Sequence, residues 1–455
     1  MQVRTFKRTT VAMAVAVALA GASRVTAQDA SAPPATDADR LQKLEDAVHQ
    51  LNEQNQQLQQ EIGELKSGQV ATVVTNQPLP FVVPGLNEMK LVLGGYFQGN
   101  GEFGDVDAYR GSFPGAKGHD ERAFDRFKIR RARIGVWGDL GENFDFKLMG
   151  DFGQQDGTAT GRDAFSGTDL YANYHRFAEA NVKMGQFDTP FGMEQFSIPD
   201  MMTLTPERSE VTEGLRPERQ IGVMLWGKPL ADVLPEEKDM LAYYLGVFNG
   251  NLRNINANDG DNFMYMGRVE VQPFQGKLFG QPTSWKLGVD GYSSVDDSNT
   301  LVTQTGNIWV QSDGSLKALS VQTHSDERLA CGVDQQFHWG PITLQAEYLQ
   351  THFHDAIVGL HDFTAHGYWV VGGYQIIPKR LELVGKYEYF KPDQLPSDDL
   401  WTTTAGINYY FRGRGPGDIT LMFDWLHTQD HFRELNPQFG AYRYDEVMAR
   451  MEFAF

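Results

Sequence analysis

The feature that most constrains this chain is an alternation of apolar and polar side chains with period two. It starts at Met89 and reaches the last residue, Phe455. Such alternation belongs to strands with an apolar medium on one face and a polar one on the other. Segments of about ten residues carry it. They are 89–98, 127–138, 143–152, 168–176, 180–188, 219–227, 240–249, 263–272, 283–293, 328–338, 341–351, 365–375, 379–390, 399–411, 417–428 and 443–455. Within 399–411, Trp401, Thr403, Ala405, Ile407, Tyr409 and Phe411 share one face, opposite Thr402, Thr404, Gly406 and Asn408. In the last segment Val447, Ala449, Met451, Phe453 and Phe455 oppose Glu446, Arg450 and Glu452.

Sixteen is an even number, as a closed antiparallel barrel with both ends on one rim needs. The connections also sort by parity. Long links (99–126, 153–167, 189–218, 250–262, 294–327, 352–364, 391–398 and 429–442) alternate with short ones such as 139–142, 177–179, 339–340, 376–378 and 412–416. Two links, 228–239 and 273–282, are longer than this rule expects. A soluble sandwich has no reason to sort its loops, whereas a membrane barrel has long external loops and short periplasmic turns. The expected fold is all-β: a 16-stranded antiparallel transmembrane β-barrel over 88–455, preceded by a short N-terminal coiled-coil helix.

The N-terminal residues read as an export signal over 1–27. Arg4, Lys7 and Arg8 precede the apolar run Val11–Ala20, and Val25-Thr26-Ala27 offers a cleavage site. Residues 28–38 read as a disordered spacer rich in Ala, Pro, Asp and Thr. Over 39–66, Leu41, Val48, Asn55 and Ile62 take heptad position a, and Leu44, Leu51, Leu58 and Leu65 take d. Asn55 at an a position is a device for setting register and strand number. Residues 67–87, with Pro78, Pro80 and Pro84, form a linker. Without the signal the chain carries 36 basic and 59 acidic residues, a net charge of −23, which argues against nucleic acid as a partner. Cys331 is the only cysteine, so no disulfide forms within the chain.

If the barrel is right, charged strand residues face the lumen, because a charge facing lipid at mid-membrane costs about 2–4 kcal/mol. Arg131, Arg133, Lys147 and Lys183 fall on that parity, with Arg268, Lys286, Lys386 and Arg450 as further candidates. Asp145, Asp151, Asp290, Glu347, Glu382, Glu388 and Glu452 share it, so a mixed lumen of weak selectivity is an open alternative. The third long link, 189–218, opens Thr189-Pro190-Phe191-Gly192-Met193-Glu194 and later carries Glu207-Arg208 and Arg216-Pro217-Glu218-Arg219. Its length and its Pro and Gly content suit a fixed fold into the lumen.

Several runs carry a family resemblance. They are Arg130-Arg131-Ala132-Arg133-Ile134-Gly135-Val136, Phe144-Asp145-Phe146-Lys147, Gly185-Gln186-Phe187, Pro190-Phe191-Gly192-Met193-Glu194 and Arg219-Gln220-Ile221-Gly222-Val223. Together they resemble the phosphate-selective porins O and P. The resemblance implies an outer-membrane homotrimer that passes small anions, with phosphate or polyphosphate as candidates. By motif it places Arg130, Arg131, Arg133, Arg208 and Arg219 as anion contacts, and the loop itself adds Arg216. The chain departs from the family in having no Lys between Thr189 and Gln220. Expected partners are small anionic solutes and outer-membrane lipid, with the coiled coil in the periplasm. No cofactor is implied.

Two other classes of function compete. An enzyme on the barrel would need a nucleophile and a base, and neither G-x-S-x-G nor H-E-x-x-H occurs. His352, His354, His361 and His366 cluster near the sixth long link, where exposed rim histidines are the simpler reading. A structural tether would use the coiled coil and leave a full barrel without a role.

Overall fold

The computed structural model describes residues 81–82, 90–106, 125–153, 165–251, 253–258, 260–296, 308–310, 316–318, 326–354, 362–391, 399–415, 417–435 and 442–455. The chain divides after Thr75 into two units, the second spanning Asn76–Phe455. The expected signal, spacer and coiled coil all lie outside the described residues, as does most of the linker. Within that linker, Phe81–Val82 pairs antiparallel with Leu91 and Lys90 at the start of the first long strand.

Sixteen long strands follow among the described residues. They are β1 (Lys90–Gly104), β2 (Arg126–Asp139), β3 (Phe144–Asp151), β4 (Ser166–Phe177), β5 (Ala180–Asp188), β6 (Arg219–Gly227), β7 (Leu241–Phe248) and β8 (Met264–Leu278), then β9 (Gln281–Asp296), β10 (Asp326–Trp339), β11 (Ile342–His354), β12 (Phe363–Ile377), β13 (Leu381–Lys391), β14 (Leu400–Tyr410), β15 (Thr420–Asp430) and β16 (Arg443–Ala454). Each pairs antiparallel with the next, and β16 pairs with β1 from Glu446↔Gly104 to Ala454↔Tyr96. The seam is finished by Phe455, whose N–H and C=O both bond to Gly95 at 3.0 Å. The expected 16-stranded antiparallel barrel is therefore present, each strand near its expected place.

The faces sort as the alternation requires. Leu383, Ile407, Leu421, Phe423, Trp425 and Met451 are exposed on the outer wall, while Glu382, Asn408, Asp424, Arg450 and Glu452 are buried on the inner one. Outward rings stack between neighbouring strands near the long-loop rim, as in Tyr368–Tyr389 with centroids 5.6 Å apart and Tyr387–Trp401 at 6.4 Å. Such rings suit a membrane interface, where one edge meets headgroups and the other hydrocarbon.

The link expected over 273–282 is much shorter than the sequence suggests. β8 runs on to Leu278 and leaves only Phe279 and Gly280 between it and β9. Both have positive φ, 51° and 79°, as a two-residue type I′ hairpin turn demands. The polar run Gln275-Gly276-Lys277 hid the strand extension, since at the rim neither face meets lipid. The other long turn, 228–240, remains long and contains a 3-10 turn at Pro235–Glu237.

The wall breaks the polar-inward rule in places: on β5–β9 the residues Phe187, Met224, Phe248, Met264, Met266 and Tyr292 are apolar and buried. On β11–β13 the inward residues Leu349, Phe353, Phe363, Ala365, Trp369, Val371, Val384 and Phe390 are apolar and buried. They meet Phe191, Met193, Ile198, Leu204, Val211 and Leu215 of the third long loop in one cluster. The hydrophobic core of this protein thus lies inside the barrel, between loop and wall.

An outward residue halfway along a strand should resist charge. Val370→Arg, on the lipid side of β12, is expected to destabilise the barrel by about 2–4 kcal/mol. Denaturant unfolding in lipid vesicles measures this, and an unchanged midpoint would contradict the orientation of the wall.

Candidate functional site: the loop-lined lumen

The third long loop, 189–218, begins with a turn that only glycine makes easily. Gly192 has φ 72°, and a side chain there would meet Glu347 Oε1 at 3.0 Å. A π-helical turn follows at Met193–Ser197. After an irregular stretch, helix α1 (Glu210–Leu215) starts at Ser209, whose Oγ accepts from Thr212 N at 3.1 Å as an N-cap.

Carboxylates hold this loop to the wall. Glu347 on β11 accepts from the Met193 N–H, from Thr212 Oγ1 at 3.2 Å and from Trp369 Nε1 at 2.9 Å. Glu388 on β13 accepts from Glu210 N at 3.2 Å, and Asp290 on β9 from Gly192 N at 3.1 Å. Within the loop, Glu194 accepts from both the N–H and the hydroxyl of Ser209, at 2.9 and 2.8 Å. Loop backbone groups that water would otherwise satisfy find acidic partners on the barrel.

The eight cations named from sequence all reach the inner side, though not all by the expected route. By strand parity Arg130 should face away from Arg131 and Arg133. A β-bulge corrects this: the register of β2 against β1 shifts between Gln98↔Arg131 and Gly99↔Ile129, leaving Arg130 as the extra residue. Its Nε then reaches Glu207 of the loop at 2.9 Å. Arg133 pairs with Asp151 at 2.9 Å and with Asp200 at 2.6 Å, while Arg131 lies 3.7 Å from Asp200 and bonds Gln98 at 2.8 Å. Arg208 pairs with Asp200 and donates to the Glu194 carbonyl at 3.1 Å. Arg216 pairs with Glu213 at 2.6 Å, and Arg219 bridges Asp169 at 2.9 Å and Asp188 at 2.6 Å. Lys147 takes the other Asp169 oxygen at 2.7 Å.

Lys183 is the exception. Among the described residues it makes no ion pair, and its ammonium lies over the rings of Tyr171 (4.4 Å), Phe187 (5.4 Å) and Trp226 (6.0 Å). The further cations are also paired: Arg268 with Asp290, Asp334 and Glu270, Lys386 with Glu388 and Glu194, Lys286 with Glu270, and Arg450 with Glu207.

Sequence reasoning missed the acids that answer these cations from the loop, Asp200 and Glu207 above all. A loop residue has no alternation to say which way it points. Burial alone would raise the Asp200 carboxyl, but Arg131, Arg208 and Arg133 outweigh it and hold the group well below the usual carboxylate range. A depressed pKa adds stability that is fully present above the unfolded value of about 3.9 and is lost only as pH falls through the lower folded value. At neutral and mildly acid pH, Asp200 is therefore an anion.

Glu347→Ala tests the anchoring of the loop. It removes the acceptor of three hydrogen bonds, each of which contributes about 0.5–1.5 kcal/mol. Single-channel conductance should rise, and trypsin should begin to cut after Arg208, which Ser209 follows. Unchanged conductance together with unchanged trypsin resistance would show that the apolar contacts alone seat the loop.

No curated protein matches the chain in sequence. Among solved structures it is similar to OmpT of Vibrio cholerae, at 9% identity and a TM-score of 0.50, covering 81% of this chain and 98% of that one. A trimer form of in-vitro folded OmpT gives the same identity and TM-score, with 81% and 99% covered. OmpF of Salmonella typhi, in complex with daunomycin, aligns at 14% identity and a TM-score of 0.51, covering 80% and 98%. At these identities the likeness is one of fold. The family model for phosphate-selective porin O and P matches residues 103–455, so the chain belongs to that family and is a bacterial outer-membrane porin, a channel and not an enzyme.

Proposed function

We propose that this porin is a homotrimer that passes small polar solutes by passive diffusion, with a weak preference for anions. The observation that carries the reading is the state of the lumen charges. The named cations gather on β2, β3, β5, β6 and the loop, but seven of the eight are held by carboxylates within 4 Å. The acids Glu347, Glu382, Asp424 and Glu452 stand on β11, β13, β15 and β16. A field of this kind orients a solute more than it selects its charge.

Phosphate selectivity, which the family name implies, would need guanidinium charge left over for the solute. Here Asp151, Asp169, Asp188, Asp200 and Glu207 already take it. Lys183 supports the anion preference, because among the described residues its charge faces the rings of Tyr171, Phe187 and Trp226 and no carboxylate within 4 Å. The heptads over 39–66 would add to trimer contacts on the periplasmic side, since a coiled coil this short gains most from a domain that already associates.

Planar bilayers holding the purified protein under a KCl gradient test this reading. The expected reversal potential has the anionic sign, with a chloride-to-potassium permeability ratio of about two, as weakly offset fixed charges give. A cationic sign would overturn the anion preference, and absent conductance would overturn the channel. A truncation lacking 28–87 should keep its conductance, whereas a pure tether has none to keep.

A further inference from the structure

The cluster around Asp200 is more than a structural ion pair. Its Oδ2 lies 2.6 Å from Arg133 Nη1 and accepts from Tyr96 Oη at 2.6 Å. Its Oδ1 meets Arg208 Nη2 and lies 3.7 Å from Arg131 Nη2. Arg131, Arg133, Arg208 and Asp200 are all buried. Three guanidiniums and one phenol therefore converge on the two oxygens of a single carboxylate, and that carboxylate belongs to a turn of the loop, not to the wall.

The charges there do not balance without it. Arg133 has a second acid, Asp151, at 2.9 Å. The other contacts of Arg131 and Arg208 are neutral: the Gln98 amide oxygen at 2.8 Å and the Glu194 carbonyl at 3.1 Å. Among the described residues Asp200 is the one carboxylate within 4 Å of either. Buried guanidiniums without a counter-charge are costly, so emptying this place leaves a strong demand for an anion.

We propose that these side chains form an oxyanion site of carboxylate dimensions in the pore, that Asp200 is its resident occupant, and that a solute carboxylate binds by taking its place. This rests on the channel reading above and deepens it. Guanidinium forks match carboxylate geometry, and the donors here serve two oxygens, the number a carboxylate presents. Asp200 reaches the site from the turn over Pro199–Met202, where its own carbonyl is held by Gln98 Nε2 at 3.0 Å. That bond holds the backbone independently of the side chain. Occupation by its own loop explains how a cluster of arginines coexists with weak anion selectivity.

The test compares the full-length protein with Asp200→Ala and Asp200→Asn in planar bilayers. Vacating the site in Asp200→Ala should raise the chloride-to-potassium permeability ratio by about threefold, the effect of one unit charge a few ångströms from the ion path. Acetate should then reduce chloride conductance at concentrations about tenfold lower than in the parent, since it refills a preformed site. Asp200→Asn keeps the space filled but removes the charge, so it should raise the ratio without gaining the acetate effect. Heat-modifiable migration on gels confirms that each variant is folded, and the Asn variant carries the charge test if the Ala variant does not fold. Wild-type selectivity in a folded variant would overturn the proposal. Phosphate acting at lower concentration than acetate would overturn the carboxylate assignment. A parent protein that does not conduct would overturn the channel reading, a separate failure.

Discussion

Everything in this molecule depends on the closure of its backbone hydrogen bonding. In hydrocarbon no water can satisfy an unpaired N–H or C=O, so a spanning sheet must have no edge. The seam where β16 meets β1 meets that requirement, and Phe455 extends it to the final residue by two bonds with Gly95. Once the wall is closed, side chains on one parity face lipid and those on the other face inward. Both the charged lumen and the location of the core follow from that.

The inside of the barrel carries two different surfaces. One is charged, with cations on β2–β6 answered by Asp and Glu from neighbouring strands and from the loop. The other is an apolar seat on β11–β13, which would be unfavourable against water and is covered by Phe191, Met193, Leu204 and Val211. The two surfaces place the loop cooperatively. Apolar contact sets its depth, and the acids Glu347, Glu388 and Asp290 capture its backbone N–H groups and set its register. Asp200 and Glu207 then face the arginine wall, where they pair with Arg133, Arg130 and Arg450.

Much of the fold was legible in the sequence because lipid enforces alternation strictly. Strands such as 180–188 and 219–227 are bounded where the pattern places them. The pattern weakened at the rim, where β8 continues through Gln275 and Lys277 with no lipid to distinguish its faces. It also failed at Arg130, because a bulge changes parity by one residue and leaves no mark in composition. The apolar seat did leave a trace: Tyr368-Trp369-Val370-Val371 is apolar on both faces, as a strand covered on both sides must be.

The sequence by itself determined the barrel, its strand number, the inward strand cations Arg131, Arg133, Lys147 and Lys183, and the long third loop. Those follow from local periodicity, which any ten-residue window carries. Only the tertiary structure decided what the cations face. Asp200 lies 67 residues from Arg133, and Glu207 lies 243 from Arg450. Pairings over such separations depend on how a non-periodic loop settles inside a closed wall, and no local pattern encodes that. Charge type and position are properties of the chain; the charge a solute meets is a property of the fold.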